Sequence, residues 1–101
     1  MKVTARKLRN KGACEVDVLI FEKEWPKGVE ITLEVLQRAA ELELGLDWFA
    51  RAFLPKPARI AYLFATAPAR NAYYVARNPG LATFYKTAAP ALWQVIKEYN
   101  L

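Results

Sequence analysis

"PARIAYLFATAPARNAYYVARNPGLATFYKTAAPALW" runs from Pro57 to Trp93 and carries a proline every eleven residues, at Pro57, Pro68, Pro79 and Pro90. Eleven residues are three helical turns with about 20° left over, so equivalent positions stay nearly on one face. The prolines, the alanines and the aromatics each form a longitudinal stripe. Aligned on the prolines, the units are "PARIAYLFATA", "PARNAYYVARN", "PGLATFYKTAA" and "PALWQVIKEYN". Their aromatic position holds Tyr62, Tyr73, Phe84 and then Val95; the next holds Leu63, Tyr74, Tyr85 and Ile96. These large side chains are expected to pack on the middle of the chain, and the short alanines on the neighbouring face to permit close approach.

An interior proline costs a helix about 3 kcal/mol through a lost hydrogen bond and a ring clash. Three of them would cost about 9 kcal/mol, on the scale of the ~5–15 kcal/mol stability of a whole domain. Each is preceded within three residues by a residue able to cap a helix: Thr66, Asn78 and Thr87. The favoured expectation is therefore short helices that restart, with the firmest break at Asn78-Pro79-Gly80. A bent, continuous helix through Pro68 or Pro90 is the other reading. Under both, residues 55–101 curve around the rest of the domain.

Working back toward the N-terminus, "ACEVDVLIFEKEW" places Cys14, Val18, Phe21 and Trp25 at helical spacing, although "CEVDV" also alternates like a strand. "WPKG" then breaks the chain. Thr32 caps "LEVLQRAAELE", with Glu34 in its first turn and Leu33, Leu36, Ala40 and Leu44 as its apolar stripe. Gly45 ends that helix and Asp47 caps "WFARAFL", which stops at Pro55. Trp48, Phe49, Phe53 and Leu54 are expected in the core. Ahead of this module, residues 1–11 form a basic arm, either disordered and anion-gripping or a short edge strand, "KVTAR". The fold class is thus mainly α: three short N-terminal helices, a proline-punctuated helical C-terminal half, and an optional N-terminal strand. The organisation is one domain, with residues 1–11, 12–54 and 55–101 as arm, acidic module and repeats.

At 101 residues the chain has room for one modest core. Three Trp, five Tyr and five Phe supply the apolar area to fill it. No apolar stretch follows the basic start, so no signal peptide is read there, and no window is apolar enough to span a membrane. An intracellular, cytoplasmic protein fits best. Cys14, the single cysteine, excludes an intramolecular disulfide and reads as a small buried hydrophobe.

Histidine and serine are both absent from the sequence. That removes every serine nucleophile, every histidine base and the commonest metal ligand. One cysteine without histidine cannot make a structural zinc site. Carboxylates such as Glu22, Glu30 and Glu41 show no spacing that suggests paired acid–base chemistry and read as a solvated face. No enzyme, no cofactor and no metal are expected.

Charge falls in three blocks. Residues 1–14 carry Lys2, Arg6, Lys7, Arg9 and Lys11 without an acid. Residues 15–50 hold nine acids against Lys23, Lys27 and Arg38, and residues 51–101 hold seven bases against Glu98 alone. The basic ends either neutralise the acidic middle on folding or leave a basic face for an anionic partner.

The run "GACEVDVLIFEKEWPKGVEITLEVLQRAAELELGLDWFARAFL", followed by "PARxAY" units, resembles small uncharacterised proteins of bacteriophages and prophages. Their pattern pairs a G-A-C…F…W-P-x-G-V…T…A-A-E-L…L-D-W-x-A module with a variable number of Ala-Pro-Ala-(Arg/Trp)-Lys-Ala-Tyr repeats. The resemblance covers residues 12 to about 93, implies a viral or mobile-element origin, and carries over no catalytic residue. This chain departs from it in lacking the repeat lysine and in its last two, decayed units.

Two functional expectations follow. The first is a non-enzymatic interaction protein of phage or mobile-element type that binds a host or viral macromolecule. One version of it inhibits a host defence or nucleic-acid-processing complex, in the manner of an anti-CRISPR protein. The second is a nucleic-acid binder using a basic strip of Lys56, Arg59, Arg70, Tyr73, Arg77 and Lys86, in which Arg pairs phosphate and Tyr stacks on bases. Tyr at a repeated helical position also fits a core role with its hydroxyl at the rim. Self-association through the alanine-rich faces is a third expectation.

Overall fold

The structure, a computed structural model, describes residues 1–76 and 81–101. The described residues form six helices and a two-stranded antiparallel ribbon, in the order β1 (Lys2–Val3), α1 (Ala5–Asn10), α2 (Glu15–Glu24), β2 (Val29–Glu30), α3 (Leu33–Glu41), α4 (Leu46–Phe53), α5 (Lys56–Ala76) and α6 (Leu81–Glu98). The mainly α class holds, and the optional N-terminal strand is present. The basic arm also contains a helix that the sequence reading left out. "ARKLRN" has too few apolar residues to show a period, and Leu8 alone is buried on it. The local signal is Thr4, whose side chain accepts from the Lys7 N–H at 3.2 Å and caps α1.

The ribbon joins the N-terminal arm to the middle of the acidic module, pairing Lys2 with Glu30 and Val3 with Val29. The turn into β2 depends on Gly28, which has φ +80°. A Cβ there would meet the Val3 carbonyl oxygen and Thr4 Cγ2 at 2.8 Å, so backbone approach as well as conformation selects glycine.

Residues 15–24 are helix rather than strand. Val18 and Phe21, three apart, are buried, while Glu15 and Asp17 occupy the first turn, where the helix dipole favours them. Cys14 is the N-cap and is exposed, which corrects its reading as a buried hydrophobe: it lies ahead of the helix's buried face. Arg9 reaches from α1 to Glu15 at 2.9 Å and Glu22 at 3.8 Å, laying α1 along α2.

Thr32 caps α3 as expected, accepting from the Val35 N–H at 3.2 Å. Leu36, Ala39 and Ala40 are buried, with Leu33 and Leu44 half-buried at the margin. The end of α3 is set by Glu43 rather than Gly45. Glu43 takes φ 59°, its N–H donates to the Ala40 carbonyl, and the Leu44 N–H donates to the Ala39 carbonyl, both at 3.0 Å. This double closure is the Schellman arrangement, usually built on glycine. Gly45 instead is the N-cap of α4. Asp47 therefore lies inside the first turn of α4 and is not its cap. Phe49 and Leu54 are buried, whereas Trp48 and Phe53 are half-buried, with Phe53 stacked on Phe49 at 4.8 Å.

The repeats do not restart at Pro68 or Pro90. Both prolines lie inside continuous helices, Pro68 in α5 and Pro90 in α6. Thr66 and Thr87 do not cap new helices. Their hydroxyls donate back to the carbonyls of Tyr62 at 2.8 Å and Thr83 at 3.2 Å, four residues earlier in the same helix. The prolines are tolerated because Pro68 and Pro90 are exposed. The carbonyls that lose a partner belong to Phe64 and Lys86, also on the exposed side, where water can solvate a freed carbonyl. Pro57 falls in the first turn of α5, where proline costs almost nothing. The expected break at Asn78-Pro79-Gly80 lies outside the described residues.

Helix α6 is the centre of the molecule, packed chiefly against α3 and α5. Ala88, Ala89 and Leu92 on α6 are fully buried, and Ala39 and Ala40 on α3 are the small residues that let such helices approach. Ala88 and Ala89 of α6 thus serve contacts within the chain, whereas Ala65 and Ala72 of α5 are exposed. The large residues of the repeats divide. Phe84, Tyr85, Val95 and Ile96 are buried as expected, but Leu63 and Tyr74 face solvent.

Candidate functional site

Two features of α5 bear on function: a polar network on its inner side and an apolar stripe on its outer side. The network ties α5 to α4. The Tyr62 hydroxyl donates to Asp47 Oδ1 at 2.7 Å, and Arg70 Nη2 donates to the same oxygen at 2.9 Å. Arg70 Nη1 donates to Thr66 Oγ1 at 2.9 Å, and Thr66 in turn donates to the Tyr62 carbonyl. The guanidinium also lies over the Phe84 ring at 5.1 Å, so one side chain joins α4, α5 and α6. Burial pushes the Tyr62 hydroxyl far above its ordinary range, and the neighbouring Asp47 carboxylate adds to the shift. Tyr85 is raised by burial first and then by Asp47 and Asp17. A hydroxyl held neutral, donating to a paired carboxylate, is a structural clasp and offers no nucleophile.

This geometry bears directly on the six residues of the expected basic strip. Arg70 is 17 % exposed and engaged by Asp47, Thr66 and Phe84. Arg59 is half-buried, with Nη1 3.4 Å from the Arg51 carbonyl. Tyr73 is half-buried against Tyr74 and Phe84, with ring centroids at 5.5 and 6.1 Å. Lys56 and Lys86 are exposed. Arg77 lies outside the described residues. Arg70 and Tyr73, the intended centre of the strip, are thus drawn into the packing between α5 and its neighbours.

Sequence reasoning missed the outer stripe. Ile60, Leu63, Phe64 and Tyr74 are exposed, Phe64 at 76 %, with half-buried Ala67 and exposed Asn71 between them. At 100° per residue these six fall within about 100° of helix surface, a width typical of an apolar face that is normally buried. Lys56 lies on the same line at its N-terminal end. The signal was present in "IAYLF", where large residues surround the Tyr62 position on every side. Only one face of the helix can turn inward, and Tyr62 takes it.

Among the described residues, no group of three or more His, Cys, Asp or Glu side chains could hold a metal ion. No described helix is long and apolar enough to cross a membrane. No family model, no curated protein and no solved structure matches the chain.

Proposed function

We propose that the chain is a non-enzymatic interaction protein, of phage or mobile-element type, whose outer α5 face receives an acidic amphipathic helix of a partner protein. The single observation that carries this reading is the exposed stripe of Ile60, Leu63, Phe64 and Tyr74 on a helix that buries Ala58, Tyr62 and Thr66 on its other side. Its hydrophobic centre suits a helix-in-groove contact better than a nucleic-acid backbone. Charge complementarity supplies the sign of the partner. From Arg51 to Lys97 the chain has no acid, and Lys56 and Arg59 border the stripe. A partner of this kind fits an inhibitor of a host complex, which needs affinity and no chemistry.

The test is a titration of the protein with a designed peptide helix that carries leucines at i, i+3, i+4 and i+7 and glutamates alongside. Binding should be lost in Phe64→Glu while the circular dichroism melt is retained. The same protein is titrated into labelled DNA and RNA at low and moderate salt. A steep salt dependence there, unaffected by Phe64→Glu and abolished by Lys56→Glu with Lys86→Glu, would favour the nucleic-acid reading instead. Concentration-dependent sedimentation that Phe64→Glu abolishes would make the occupant a second copy.

A further inference from the structure

An apolar cavity of about 220 Å³, partly open to solvent, runs into the N-terminal module. Val18 of α2 and Trp25, which caps the end of α2, line it on one side, and Leu36 and Ala39 of α3 with Trp48 of α4 on the other. Close-packed interiors leave few voids larger than a water molecule. An apolar cavity of only ~150 Å³ stays dry and takes up benzene. The backbone of α2 lies closer to α1 than to α3 or α4, and the wider gap toward α3 and α4 is bridged by side chains, Val18 and Phe21 among them. Small residues on the lining, Ala39 among them, keep the space open.

One charged side chain joins the lining. Asp17, half-exposed, reaches the cavity where it meets solvent, and has no hydrogen-bond or ion-pair partner among the described residues. We infer that this cavity is a binding site for a small ring-sized apolar molecule carrying an ammonium or other hydrogen-bond donor, with the ring against the apolar lining beside Val18 and the donor on Asp17. The chemistry is that of a buried apolar body with one convergent polar anchor. The site is separate from the α5 face, and neither proposal depends on the other.

Toluene, phenethylamine and phenylacetate are the probes, each titrated into the full chain while the melting temperature and tryptophan emission are followed. Phenethylamine and toluene are expected to raise the melting temperature, by about 5 °C or more at ten times the dissociation constant. Phenylacetate, whose carboxylate faces Asp17, is expected to give no shift. Asp17→Asn should abolish the advantage of the amine over toluene, and Ala39→Phe should fill the space and remove all responses. Because Ala39→Phe can also unfold the chain, methyl resonances of Val18 and Leu36 in the unaltered protein provide a second readout and should move on adding toluene. No response to any probe, or equal responses to amine and carboxylate, overturns the proposal.

Discussion

The Tyr62 hydroxyl and the Asp47 carboxylate meet at 2.7 Å, fifteen residues apart in sequence, and fasten α5 to α4. Tyr62 is fully buried, whereas Asp47 is 39 % exposed on its side chain, so the two ends of the bond are not equivalent. Tyr62→Phe removes the donor and leaves Asp47 paired with Arg70 and partly solvated, at an expected cost of about 1 kcal/mol. Asp47→Ala strands the buried hydroxyl and frees Arg70 together, and should cost more, about 2–3 kcal/mol. Urea denaturation of the two variants gives the order directly. A larger loss for Tyr62→Phe than for Asp47→Ala would show that the clasp is not the anchor of this contact.

The same bond gives the fold an alkaline limit. Folding raises the Tyr62 pKa above the ordinary tyrosine value of ~10, so the folded state binds its proton more tightly than the unfolded state. The stability so contributed is fully present below pH ~10 and declines as pH rises above it, because only the unfolded chain then ionises readily. Stability measured from neutral pH to above pH ~10 should fall less steeply in Tyr62→Phe than in the unaltered protein. Tyr85→Phe should flatten the same limb further, since burial raises that hydroxyl too.

Phe64 and Phe84 belong to the first and third repeats and test opposite roles. Phe84 is buried and carries the Arg70 guanidinium, so Phe84→Ala should cost about 3–5 kcal/mol. Phe64 faces water, and Phe64→Ser should change stability by no more than about 0.5 kcal/mol. Thermal melts of both variants separate the packed surface of α6, which faces α5 through Phe84, from the free surface of α5. A large loss for Phe64→Ser would mean that the outer stripe is covered within the chain.

Helix capping offers a gain in stability at the end of α3. Glu43 adopts φ 59° with a full side chain, a conformation that costs an L-residue about 1–2 kcal/mol relative to the right-handed region. Gly12 takes the equivalent place after α1, at φ +84°, with the Ala13 N–H donating to the Leu8 carbonyl. Glu43→Gly should therefore raise the denaturation midpoint, by about 1 kcal/mol of stability. Gly12→Ala should lower it, although a Cβ there meets no atom within 4 Å, because the backbone angle alone resists it.

What the sequence disclosed follows from the range of the forces involved. Thr32 as a cap, the stop at Trp25–Gly28 and the helical period of the repeats are local, set within a turn or two, and each is where it was read. The turn after α3 was misplaced by two residues because glycine was given the left-handed position that Glu43 occupies, while Gly45 began the next helix. The role of Asp47 was missed for a different reason. Its partners Tyr62 and Arg70 lie 15 and 23 residues away, and no local pattern reports such a pairing. The inward and outward faces of α5 were likewise ambiguous, since "IAYLF" is apolar around most of the helix and only α4 and α6 decide which side is covered.

The prolines of α5 and α6 were legible as a pattern but not in their consequence, and they carry the last prediction. Pro68 lacks the N–H that would bond the Phe64 carbonyl, and Pro90 the one for Lys86, yet both helices continue. Pro68 is exposed, so an alanine there restores the bond and removes the ring clash without disturbing the packing of Tyr62 or Thr66. Pro68→Ala should stabilise the chain by up to about 3 kcal/mol, less whatever the unfolded state regains in freedom. Pro90→Ala should act in the same direction through an exposed position on α6. Guanidinium denaturation of the two single variants and the double variant tests this. If instead Pro68→Ala destabilises, the backbone geometry set by Pro68 is what brings Arg70 to Asp47, and the Asp47→Ala penalty should then shrink in the Pro68→Ala background.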